Sequence, residues 1–135
     1  MTTIRTANHA FAAAAPGKAL NIALWTLQVV VALVLLAAGS GKLVGSAAMV
    51  ALFDAIGIGQ WFRYVTGSLE VLGALLLIVP GTTAFGAVLL ACVMAGAVVA
   101  HLTVLHTAAT VPLVLFALTA LIAWGRRSQL TGLLG

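Results

Sequence analysis

Charge is scarce in this sequence. Only 6% of the 135 residues are charged, two acids against six lysines and arginines. A folded soluble domain of this length needs a polar surface, and so few charges cannot supply one. Cysteine is scarcer still. The single Cys92 excludes an internal disulfide and any two-thiol redox motif of the C-x-x-C kind. Clustered bases are missing as well. The net charge of +4 comes from bases that stand singly or in one pair beside hydrophobic runs, which argues against a nucleic-acid surface built to track phosphates.

Familiar catalytic and metal-binding patterns fail too. GSGK at 39–42 lacks the other residues of a phosphate loop, because Leu36 and Leu43 stand where glycine and serine or threonine are required. His101 and His106 are five apart and cannot form the i, i+4 pair that clamps zinc, so no metal site is expected. Haem held between two helices would need histidines on separate spans, and only one span carries any. No Ser, His and Asp constellation can be assembled, and the catalytic residues stay unknown. Cys92 lies among Ala91, Val93 and Met94, where a thiol behaves as a small hydrophobe.

What the chain has is apolar length. Hydrophobic residues make up 64% of it and its mean hydropathy is +1.26, which points to an all-α integral membrane protein. Spanning a bilayer takes about 20 apolar residues as helix. Segments at roughly 19–39, 64–79, 84–105 and 108–124 qualify, which predicts a single domain built as a four-helix membrane bundle. Pro80-Gly81 separates the second span from the third, and Pro112 falls in the first turn or so of the fourth. Residues 1–18 read as a disordered cytoplasmic tail and 126–135 as a basic cytoplasmic one. Arg5, Lys18, Arg126 and Arg127 flank the termini, against Lys42 and Arg63 in the first loop, so both termini are expected in the cytoplasm.

That first loop is the only long one. Met49, Leu52, Phe53 and Ile56 recur at helical spacing and predict a short amphipathic helix over about 46–57, lying in the outer interface or capping the bundle. Trp61, Phe62 and Tyr64 follow, aromatics suited to headgroup depth or to the rim of a ligand entrance.

The ionisable residues concentrate at the same outer end. Glu70 lies about 9 Å into the second span and His101 about 6 Å from the end of the third, at 1.5 Å per residue. Lys42 closes the first span, Arg63 opens the second and His106 ends the third. The opposite leaflet offers nothing comparable inside the spans. Helical spacing puts Arg63, Gly67, Glu70 and Ala74 on one face, with matching stripes Gln28, Ala32, Leu35, Gly39, Lys42 and Leu90, Met94, Ala97, His101. Those faces are expected to meet around Glu70, with Lys42 as its first choice of partner and Arg63 as its second. Lys42, Arg63, Glu70, His101 and His106 are therefore the candidate ligand-binding residues.

In this order and spacing, AAGSGKL closing the first span, GIGQWFRYVTGSLEVLGALLLIVPG and LACVMAGAVVAHL resemble the DoxX and DoxX-like family of small bacterial membrane proteins. The resemblance covers roughly 25–125. It implies four transmembrane helices in a bacterial inner membrane and an association with quinone-reducing thiosulfate oxidoreductases and thiol or oxidative-stress complexes. Two functions follow as expectations. In one, the chain is a membrane subunit of a quinone- or thiol-linked redox system, with no covalent cofactor. A pocket bounded by Lys42, Glu70 and His101 takes a quinone or another small amphipath, and a redox protein is the partner. In the other, it is a non-catalytic scaffold whose polar cluster only fixes helix packing. The small residues of the third span permit a homo-oligomer.

Overall fold

The computed structural model describes residues 16–134. The tail expected over 1–18 lies outside the described residues up to position 15. Among the described residues the elements are helices: α1 (Lys18–Val44), α2 (Ala47–Ile56), α3 (Gln60–Ile78), α4 (Thr83–Thr103), α5 (Thr110–Gly125) and α6 (Ser128–Leu134). Three of them, α1, α3 and α4, are long and apolar enough to cross a membrane, and α5 is apolar but has only 16 residues. The chain is an all-α membrane bundle.

Local chemistry explains where the helices stop. Helix α1 runs through Gly39 and Gly41 and ends only at Gly45, whose φ of 73° lies in the left-handed region and whose N–H bonds to the Gly41 carbonyl. Lys42 is therefore held on helical geometry. Gly57 closes α2 in the same way. Helix α3 runs out at Val79, just before Pro80, and its orphan carbonyls are met by side chains. Thr82 donates to the Leu76 carbonyl at 3.0 Å, and Thr83 to that of Leu77 at 3.1 Å. Pro112 occupies the first turn of α5, where a missing N–H removes no helical bond. The segment 126–135, expected as a tail, carries the short helix α6. Its Gln129 accepts the Ala84 N–H at 2.9 Å, capping the start of α4.

Helices α1, α3, α4 and α5 form a ring in which each packs on the next and α5 returns to α1. Val31, Leu35, Leu77, Leu90, Met94 and Ile122 fill its middle. Lipid tails are as apolar as these side chains, so close packing and polar contacts hold such a bundle more than hydrophobic burial does. Small residues supply the closeness. A Cβ placed on Gly39 would come within 2.9 Å of the Gly67 carbonyl oxygen, and one on Gly67 within 2.9 Å of the Lys42 Cβ. Here α1 and α3 touch backbone to backbone.

Helix α2 turns its apolar face inward. Phe53 is buried and meets Phe62 edge to face at 5.8 Å, while Met49, Leu52 and Ile56 are half-buried and Asp54 is exposed. It packs mainly on α3, over the end of the bundle where α1 stops.

Candidate functional site

The crossing of Gly39 with Gly67 sets the geometry of the polar residues. Helical side chains lean toward their own N-terminus. Helices α1 and α3 run antiparallel, so Lys42 leans back along α1 toward Gly39 while Glu70 leans back along α3 toward Gly67. The two converge. Lys42 Nζ donates to Glu70 Oε2 at 3.0 Å, with side chains 13% and 3% exposed. The expected face of α3 is buried throughout, at Arg63, Gly67, Glu70 and Ala74. On α1, Gln28, Ala32, Leu35 and Gly39 are buried, with Lys42 half-buried at the end.

Arg63 does not pair with Glu70. Its Nη1 donates to the Lys42 carbonyl and its Nε to Gln60 Oε1 at 2.6 Å. A guanidinium at a helix C-terminus satisfies an orphan carbonyl and complements the helix dipole. Gln60 in turn donates to the Val50 carbonyl at 3.0 Å and to Asp54 Oδ1 at 2.6 Å. One network thus ties α1, α2 and α3 together above the ion pair.

The histidines stand apart from this network. His101 is half-buried, and its Nδ1 shares a hydrogen bond of 2.8 Å with the Thr107 hydroxyl. No hydrogen bond or ion pair joins it to Lys42 or Glu70 among the described residues. His106 is exposed in the link between α4 and α5, with a φ of 50°. Of the aromatics, Trp61 and Tyr64 are 59% and 50% exposed and only Phe62 turns inward, against Phe53 and Trp61. No group of three His, Cys, Asp or Glu side chains able to hold a metal ion occurs among the described residues.

The opposite end, where the sequence shows no comparable gathering of ionisable residues inside the spans, carries a buried polar network of its own. Gln28 is fully buried in α1 and donates to the Leu77 carbonyl at 2.9 Å. Its Oε1 accepts from Arg126 Nε at 2.7 Å, and Asn21 Oδ1 accepts from Arg126 Nη1 at 2.6 Å. Arg126 is 8% exposed and its Nη2 has no hydrogen-bond partner among the described residues. Arg126, expected in the basic cytoplasmic tail, packs into the bundle end instead. The available hint was Gln28, an amide about 15 Å into an apolar helix, which must find partners. A groove of about 310 Å³, lined by Leu20, Leu24, Leu27, Leu121, Trp124 and Arg127, also lies at this end, away from Lys42 and Glu70.

No curated protein and no solved structure gives a match to this chain. One family model does, that of the DoxX-like family, over residues 26–123, a stretch that contains the Gly39–Lys42 and Gly67–Glu70 elements and His101. With that match over most of its length, on a bundle of apolar helices joined by those same residues, the chain belongs to the DoxX-like family.

Proposed function

We propose that the protein is a membrane subunit of a redox system in which this bundle is the scaffold and a partner protein carries the electron or thiol chemistry. The carrying observation is the Lys42–Glu70 pair. The two charges pair with each other, Glu70 is almost fully enclosed, and at the glycine crossing beside it the two helix backbones are in contact. A buried pair of this kind fixes helix register. The redox setting rests on the family resemblance. Cys92 is alone and faces outward from the middle of α4, so a dithiol must come from elsewhere. The same proposal has four crossings, with α5 spanning about 24 Å at 1.5 Å per residue. Both termini then lie on the cytoplasmic face of a bacterial inner membrane, where Lys18, Arg126 and Arg127 gather. Gly96, on the outer face of α4 with nothing in front of it, suits contact with a second copy.

The test is Glu70→Gln in purified protein. The scaffold role requires an earlier thermal unfolding with no change in the response to a quinone analogue. An unchanged unfolding temperature would remove the reading.

A second reading, a quinone or similar amphipath bound at the outer end, is favoured by His101. Thr107 engages Nδ1, while Nε2 has no hydrogen-bond partner among the described residues and suits a quinone carbonyl. Affinity for a quinone analogue that His101→Ala abolishes would establish it, and equal affinity in both proteins would exclude it.

A further inference from the structure

Among the described residues, the end of the bundle where α1 begins and α5 ends carries cations without acidic side chains. The chain has only two acids, and both are engaged elsewhere, Glu70 by Lys42 and Asp54 by Gln60. Among the described residues Arg126 has neutral partners, the amide oxygens of Gln28 and Asn21 and the face of the Trp25 ring at 5.6 Å. Amides satisfy N–H groups but leave the positive charge uncancelled, and an uncompensated buried guanidinium favours an anion brought from outside. Next to it, the half-buried Arg127 lies over the Trp124 ring at 4.4 Å, donates from Nη1 to the Trp124 carbonyl at 2.8 Å and lines the groove between α1 and α5.

The groove itself is apolar. Leu20, Leu24 and Leu27 line one wall at helical spacing, with Leu121 and Trp124 opposite. On the flank of a membrane helix pair, such a groove meets acyl chains. Trp124, 66% exposed, marks headgroup depth at its mouth. An acyl slot lined by Arg127, with the buried Arg126 its neighbour in the chain, matches one class of molecule. We infer that this end of the bundle binds an anionic phospholipid, with an acyl chain along Leu24, Leu27 and Leu121 and the headgroup phosphate on Arg127. The unneutralised Arg126 behind it selects for net negative charge. A zwitterionic lipid presents the same phosphate but carries its own cation, so it gains little from Arg126.

Native mass spectrometry of the full chain in detergent tests the site, using phosphatidylglycerol, phosphatidylcholine of the same acyl chains, and inorganic phosphate. Arg126→Gln would disturb Gln28 and Asn21, so the variants are Arg127→Gln and Ala23→Trp, the second placing an indole in the groove from an exposed position. Phosphatidylglycerol is expected to be retained at least about tenfold more tightly than phosphatidylcholine, Arg127→Gln to lose about tenfold, the effect of one charge-assisted contact, and Ala23→Trp to lose about as much because the indole occupies the acyl slot. Both variants should keep the helix content and unfolding temperature of the lipid-free protein. Equal retention of the two lipids would overturn the inference. So would competition by inorganic phosphate at the concentration of the lipid, which would indicate a free-anion site. Retention unchanged in both variants would place the lipid elsewhere and equally overturn it.

Discussion

Replacing Glu70 by leucine keeps the side-chain volume and removes the charge, leaving the Lys42 ammonium, 13% exposed, without its partner at 3.0 Å. Breaking a buried pair from one side costs about 3–5 kcal/mol when the surviving charge stays enclosed. Lys42 stands two residues from the end of α1, so its stem can swing toward the headgroups and recover some hydration. The low end, about 3 kcal/mol, is therefore expected for Glu70→Leu. The double variant Lys42→Met, Glu70→Leu removes both charges and lets methionine and leucine pack at the glycine crossing. It should fall within about 1 kcal/mol of the parent or exceed its stability. The assay is reversible unfolding in mixed micelles, followed by helical circular dichroism, with the four proteins closing a double-mutant cycle. A single variant within about 1 kcal/mol of the parent would mean that the pair holds nothing. A double variant as unstable as the sum of its singles would refute the argument that the loss comes from a stranded charge.

The other predictions concern the surrounding packing. Gly39→Ala drives a methyl to within 2.9 Å of the Gly67 carbonyl and of Val71 Cγ2, and should cost about 1–3 kcal/mol in the same unfolding assay. Gly96→Ala, with open space before it, should be neutral or stabilising by up to about 1 kcal/mol. Arg63→Lys keeps the charge but cannot reach the Lys42 carbonyl and Gln60 together, so a loss of about 1 kcal/mol is expected. Gln28→Leu deprives Arg126 Nε of its acceptor and the Leu77 carbonyl of a donor, and should cost about 1–3 kcal/mol. Cys92, exposed near the middle of α4, should resist a membrane-impermeant maleimide in vesicles and react with a lipid-soluble one. Equal labelling by both would place α4 outside the bilayer.

Periodicity made the helix faces legible. The spacing of Arg63, Gly67, Glu70 and Ala74 named a buried face because helical rotation is a local property, and Lys42 was the nearest base able to lean toward that acid. The limits of α1 were less legible. The glycines at 39 and 41 read as an ending, yet Gly39 is there so that α3 can approach, and the stop is Gly45 with its left-handed backbone. Arg63 illustrates the same ambiguity. Sequence offers its charge as a partner for Glu70, but a carbonyl at the end of another helix, invisible in a linear reading, takes it first. The bond from Arg126 to Gln28 joins residues 98 apart, and no local pattern encodes such a contact. His101 was placed by depth and rotation, and the turn that follows α4 brings Thr107 to its Nδ1.

The two ends of the bundle therefore handle polar groups in opposite ways, with a consequence for how it meets its surroundings. At the end that α2 covers, every strong charge has a protein answer: Lys42 has Glu70, Arg63 has a helix carbonyl and Gln60, and Gln60 has Asp54. Such an end asks nothing of the bilayer and can be rigid. At the other end the amides of Gln28 and Asn21 hold Arg126 in place without cancelling its charge. Rigidity and electrostatic compensation are thereby separated. The scaffold is closed by its own residues on one side and left open to an external anion on the other. Sensitivity to lipid charge should then track substitutions at Arg127 and Ala23 and be indifferent to the Lys42→Met, Glu70→Leu pair. If neutralising Lys42 and Glu70 altered lipid selectivity as much as Arg127→Gln does, the two ends would be coupled, and the division of labour drawn from their different partners would be wrong.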